Sequence, residues 1–162
     1  MQRLLAALWD SLFDSTQSPV RYLSRALLID LPISLPFAFL VGLALPTKSP
    51  EFPQVQPASL LLALCILSPL VETLLMLGLF FVLRFFVRKP ANLVILSTLL
   101  WAGLHSLLAP VWGLGVFWPF LVFSICFLTW EKRSRTHALG MTASLHALHN
   151  LAPAILLVLA KR

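Results

Sequence analysis

Four side chains able to move protons stand inside long apolar runs of this sequence: Glu72, His105, His146 and His149, with Asn150 beside the last. An ionisable group in hydrocarbon costs a few kcal/mol and normally faces a bundle interior or a water-filled cavity. A carboxylate can take a proton from water, an imidazole can hold that water, and an imidazole or carboxamide can donate to an oxyanion. Taken singly, each has a plainer reading. A lone membrane histidine is usually an interhelical hydrogen-bond donor, a lone glutamate can sit protonated on a backbone carbonyl, and Trp101 reads as packing. The case for a site rests on their coincidence.

Depth can be counted from basic residues on one side of the membrane. Glu72 is twelve residues from Arg84 and His146 eleven from Arg135, which puts each ~17 Å along its helix. His105 and Asn150 are sixteen and fifteen residues from Lys89 and Arg135, or ~23 Å. Separate helices thus bring polar groups to within about a turn of one depth. The faces agree: Ser68 and Glu72, then Ser97, Trp101 and His105, are spaced four apart, and Thr142, His146, His149 or Asn150, and Pro153 form one stripe. Pro69 is placed to open backbone groups just before Glu72, and Gly140 and Ser144 suggest close helix approach.

The elements that must position these groups are membrane helices. Of 162 residues, 59% are hydrophobic and 11% charged, and mean hydropathy is +0.92, outside the range of soluble domains. Apolar segments at 26–46, 58–83, 91–109, 111–129 and 138–160 are each long enough to cross a bilayer. The fold class is therefore an all-α integral membrane protein of about five transmembrane helices. The breaks are TKSPEFPQVQP, RFFVRKP, Ala109-Pro110 and EKRSRTHA, and the third is short enough to demand a tight hairpin. Residues 1–20 form an interfacial amphipathic helix, with Leu4, Leu5, Leu8, Trp9, Leu12 and Phe13 on one face. Residues 21–162 form one membrane domain. Pro32 and Pro36 predict a kinked first span, and Asp30, just beyond Arg25, reads as an interfacial or arginine-paired acid. Cys65 and Cys126 read as small apolar residues and His137 as a solvated loop residue.

The net charge of +6 does not point to nucleic acid, because the cations cluster at the ends of apolar runs. Arg3, Arg21, Arg25, Arg84, Arg88, Lys89, Lys132, Arg133 and Arg135 fall on one side, and Lys48, Lys161 and Arg162 on the other. The positive-inside rule then places the N-terminus inside and the C-terminus outside.

Three motifs, in order and each in its own span, resemble those of the CAAX protease and bacteriocin-processing family of intramembrane proteases. The pattern PxxEExxxRG is met by Pro69, Glu72 and Gly78, FxxxH by Trp101 and His105, and HxxxN by His146 and Asn150. The second acid is replaced by Thr73, the arginine by Leu77 and the phenylalanine by Trp101. Loss of acid and arginine together leaves neither unpaired in lipid. The resemblance, covering a core at about 58–160, implies catalysis by Glu72, His105, His146 and Asn150, supported by His149, Thr73 and Trp101. Glu72 would activate water, His105 hold it, and His146 and Asn150 stabilise the oxyanion. No cofactor is the reading preferred; zinc on Glu72, His105 and His146 is the alternative, without an HExxH motif and with no second carboxylate left as base. The implied partners are membrane lipids and a peptide or protein substrate with a membrane-associated tail: a prenylated tail, a peptide precursor or a sorting tail. The expected location is a prokaryotic cytoplasmic membrane. Two other functions compete: a non-catalytic immunity or accessory protein of the same fold, and a small proton-coupled carrier.

Overall fold

The computed structural model describes residues 2–45 and 56–160, and within them the chain is helical, with no strand. Helix α1 runs Gln2–Ser11, α2 Pro19–Ala44, α3 Pro57–Leu62, α4 Ser68–Leu83, α5 Pro90–Leu108, α6 Trp112–Glu131 and α7 Arg135–Ala160, with a π-helical turn, Ala63–Leu67, joining α3 to α4. Five helices among the described residues are long and apolar enough to cross a membrane, α3, the π turn and α4 counting as one span, Pro57–Leu83. Lys48, Lys161 and Arg162, and all but the end of the break at 47–57, lie outside the described residues.

Local chemistry explains where the helices begin. Pro19, Pro57 and Pro90 open α2, α3 and α5, at the one helical position where the missing N–H is not needed. Ser134 precedes α7, and its Oγ accepts from the His137 amide at 3.1 Å. His137 is exposed, as expected, but it stands in the first turn of α7 and not in a loop. The first span begins at Pro19, well before the expected 26, and the amphipathic helix ends at Ser11. Between them Leu12 is fully buried, its carbonyl accepting from Tyr22 Oη and Thr129 Oγ1 at 2.9 Å each. Beside it, Asp14 accepts from the hydroxyl and the amide of Thr16, which holds its carboxyl below the ordinary value. Pro32 and Pro36 lie inside α2, which continues through both as one helix.

Helix α6 is the central post: 56% of its most apolar window is buried, against 17–33% in the other spans. The other spans turn leucines, isoleucines and phenylalanines outward, among them Leu28, Leu74, Phe81, Leu107 and Leu156, a surface suited to lipid and not to water. Inside, Phe127 meets Phe80 of α4 at 5.2 Å and Trp130 meets Tyr22 of α2 at 5.3 Å. At the basic end Arg84 forks onto Glu131, an exposed pair worth up to ~1 kcal/mol.

The α5–α6 hairpin is as tight as its short break requires. A Cβ at Gly113 would stand 2.1 Å from the Ala102 carbonyl oxygen and 2.2 Å from Ser106 Oγ. Gly140 is different from what its size suggested. Nothing lies within 4 Å of a Cβ placed there, and both Gly140 and Ser144 face outward. Gly113 thus makes a close approach at the hairpin, where the chain reverses within a few residues, and Gly140 and Ser144 make none on α7. Gly113→Ala should lower stability by about 1–3 kcal/mol, read as a fall in thermal midpoint in detergent, whereas Gly140→Ala should leave the midpoint unchanged or raise it.

Candidate active site

Glu72 lies near the middle of the α3–α4 span. The Ser68 hydroxyl, one turn earlier, donates to its Oε1, while Oε2 is buried without a hydrogen-bond partner. From α7, His146 brings Nε2 to 4.0 Å from that free oxygen, too long for a direct hydrogen bond. The His146 ring is stacked on Phe123 at 4.5 Å, which fixes its plane. His105 approaches from α5, with Nδ1 2.9 Å from the Trp101 carbonyl. A carbonyl only accepts, so Nδ1 carries a proton, and Nε2 is the nitrogen that can accept when it carries none. Trp112 and Phe120 of α6 hold that ring at 4.9 and 5.2 Å. Glu72, His105, His146, His149 and Asn150 all line one cavity of about 460 Å³, the size of a small-molecule site.

The place of Asn150 follows from the backbone. In the π turn the Ser68 amide reaches back to Ala63 O, and Pro69, the next residue that could serve the Leu64 carbonyl, has no N–H. The stranded Leu64 oxygen is taken by Asn150 Nδ2 at 2.8 Å. Asn150 therefore keeps one of its two amide hydrogens for the cavity. A π turn at a functional site is a recurrent device, and here it binds α3 to α7.

Asp30 corrects the expectation of an interfacial acid. It is completely buried, its Oδ2 accepts from His149 Nδ1 at 2.6 Å, and Arg25 instead bonds Gln17 Oε1. The helix starts at Pro19, eleven residues before Asp30, so the acid lies ~17 Å along its span, level with Glu72 and His146. A fourth helix therefore reaches the site.

Two residues expected in support stand back from the cavity. Thr73 is buried on the α4 stripe that continues with Met76 and Phe80 into the core; its Oγ1 has no partner. Leu77 packs against the same core. Trp101 meets the site through its carbonyl, through its ring, 6.1 Å from that of His105, and by stacking on Phe120 at 4.8 Å. The α6 aromatic rings that hold the histidines were not expected. That helix is apolar on every side, so no stripe marks which face meets the site. Among the described residues, no three His, Cys, Asp or Glu side chains stand together as a group that could hold a metal ion.

The cavity extends from Glu72, His146 and Phe123 toward Gly42, Val111 and Leu157, at the end of the bundle where α2 and α7 finish. The turns bearing Arg84, Arg88, Lys89, Lys132 and Arg133 are at the opposite end. No family model, curated protein or solved structure matches this chain.

Two outcomes follow from this geometry. Asn150→Ala should cost about 1 kcal/mol by stranding the Leu64 carbonyl. The cost should shrink in a Pro69→Ala background, where a restored amide can serve the π turn, and a double-mutant cycle of detergent unfolding reads the difference. In a Cys65→Ala/Cys126→Ala background, Gly42→Cys on intact cells should react with a membrane-impermeant maleimide, and Ser134→Cys only after permeabilisation; the reverse pattern would turn the cavity toward the cytoplasm.

Proposed function

We propose that this chain is an intramembrane endopeptidase that hydrolyses a peptide bond in the membrane-associated tail of a peptide or protein. The observation that carries the reading is the free Oε2 of Glu72, buried and unpartnered, facing His146 across a 4.0 Å gap. A single water can touch both atoms, because two ~2.8 Å hydrogen bonds span such a gap at about a right angle. Glu72 takes a proton from that water as its oxygen attacks the scissile carbonyl. His105, with Nε2 free to accept, holds the attacking water in line. His146 and the spare amide hydrogen of Asn150 stand on the same wall to donate to the developing oxyanion. The rings of Phe120, Phe123 and Trp112 remove rotational freedom from the two histidines, so the donors are set before substrate arrives.

The resemblance to the CAAX protease and bacteriocin-processing family supports the same roles, and its main departures fall where Thr73 is buried and Leu77, half-buried, packs against the core. Where that family's pattern has an acid and an arginine, this chain packs a threonine and a leucine, an exchange that a bundle tolerates because both charges are lost together. No step is routed through a metal. The largely apolar cavity wall suits an extended lipophilic segment, and the expected setting is a prokaryotic cytoplasmic membrane with the N-terminus inside.

Purified protein in liposomes, offered membrane-anchored tail peptides with and without a prenyl group, should release a cleaved product by mass spectrometry. Glu72→Gln and His146→Ala should each lower kcat by a factor of at least ~10², and a chelator should have no effect. Cleavage that survives both substitutions would sink the assignment. A Glu72→Gln variant with full biological activity and no cleavage by the wild type would return the chain to a non-catalytic accessory role.

A further inference from the structure

The contact between Asp30 and His149 is not used by the mechanism above, and it is a close, buried polar contact between two spans. It joins α2, which lies outside the segment carrying the three motifs, to the helix that carries His146 and Asn150. His149 Nδ1 is 2.6 Å from Asp30 Oδ2, so the ring donates from Nδ1 and leaves Nε2 to the cavity that the residue lines. A carboxylate on Nδ1 fixes the tautomer and the plane of an imidazole and supports its protonated form. A protonated His149 beside an ionised Asp30 is neutral as a pair, which is the condition for keeping a proton inside hydrocarbon. The neighbours are consistent with that task. His146 lies one turn away on α7, Glu72 and His105 face the same cavity from α4 and α5, and α6 brings the apolar ring of Phe123 to 5.6 Å in a T-shaped contact.

Resting on the peptidase reading, we infer that His149 is the proton donor to the departing amine and that Asp30 is the residue that positions it. The two carboxylates then divide the reaction. Glu72 begins ionised and His149 protonated. The water oxygen bonds to the carbonyl carbon and its proton passes to Glu72. As the C–N bond breaks, the Nε2 proton of His149 passes to the amide nitrogen. An acid and an amine leave, and the proton on Glu72 returns to His149 through the cavity. No proton is gained or lost over the cycle. His149 is a catalytic residue on this account, while Asp30 acts only through it.

The test exploits the leaving group. An amide nitrogen must be protonated to depart, whereas the thiolate of a thioester leaves without a proton. The tail peptide cleaved by the wild type is compared with its analogue carrying a thioester at the scissile bond. His149→Gln should lower kcat on the amide about 10²-fold or more and leave thioester cleavage nearly unchanged. Asp30→Asn should show the same selectivity to a smaller extent, whereas Glu72→Gln should lose both substrates. Because a single change could disturb folding, Asp30→Leu/His149→Leu is included. Apolar replacement of a buried pair is commonly neutral or stabilising, so this variant should keep its thermal midpoint and its thioester activity while losing the amide. Equal loss on both substrates, or no loss on either, overturns the role of His149 and leaves the peptidase reading standing. A wild type that cleaves neither substrate removes both.

Discussion

Hydrocarbon offers no hydrogen bonds, so a polar group placed at mid-depth is stabilised by finding a partner within the protein. That constraint shapes this bundle more than any packing preference. Asp30 on α2 reaches His149 on α7, Asn150 on α7 reaches Leu64 on the π turn, and Ser124 on α6 donates to Ser97 on α5. These contacts tie the helices at the level of the cavity, while aromatic packing and the Arg84–Glu131 fork close the bundle at its basic end. Lipid gives apolar side chains little reason to prefer one helix over another. The polar contacts therefore supply much of the register that apolar packing alone leaves loose.

The π turn shows how the backbone takes part in the same economy of partners. A regular α-helix through Ala63–Leu67 would serve the Leu64 carbonyl from the Ser68 amide. The wider turn diverts that amide to Ala63 O, and Pro69 removes the other candidate donor. A carbonyl is thereby left facing α7, where it draws in Asn150. Ser68, at the end of the π turn, turns its hydroxyl onto Glu72. One irregular stretch thus sets the positions of a carboxylate and a carboxamide on two different helices.

Much of this site was legible in the sequence because helical rise is constant. Counting from Arg84, Lys89 and Arg135 brought Glu72, His105 and His146 to one level, and they line one cavity. Asp30 was not legible by the same ruler, since Arg25 looked like the boundary of its span. Tyr22, Arg21 and Arg25 instead belong to a helix that Pro19 opens, its first turns held by contacts of Tyr22 with Leu12 and of Arg25 with Gln17. Small residues misled for a related reason. Gly140 and Gly113 look alike in sequence, and only the short turn at 109–111 decides which of them meets another backbone. The aromatic supports on α6 left no pattern at all, because a helix buried on most sides carries no polar face to orient it.

What separates the two carboxylate–histidine pairs is distance. Asp30 and His149 are closed at 2.6 Å, and no molecule fits between them; the pair can orient a ring and hold a proton, but it cannot take one from water. Glu72 and His146 stand open at 4.0 Å, with one carboxylate oxygen engaged by Ser68 and the other unpartnered. Each pair leaves one buried carboxylate oxygen without a partner, Asp30 Oδ1 and Glu72 Oε2, but only at Glu72 does the facing imidazole stand off at a distance that a small molecule can bridge. A bundle selected only for stability would close that gap as it closes the other, or replace both side chains with leucine. The difference in distance suits the Glu72 side of the cavity to receive a reactant, as the peptidase proposal requires, and suits the Asp30 side to hold its position.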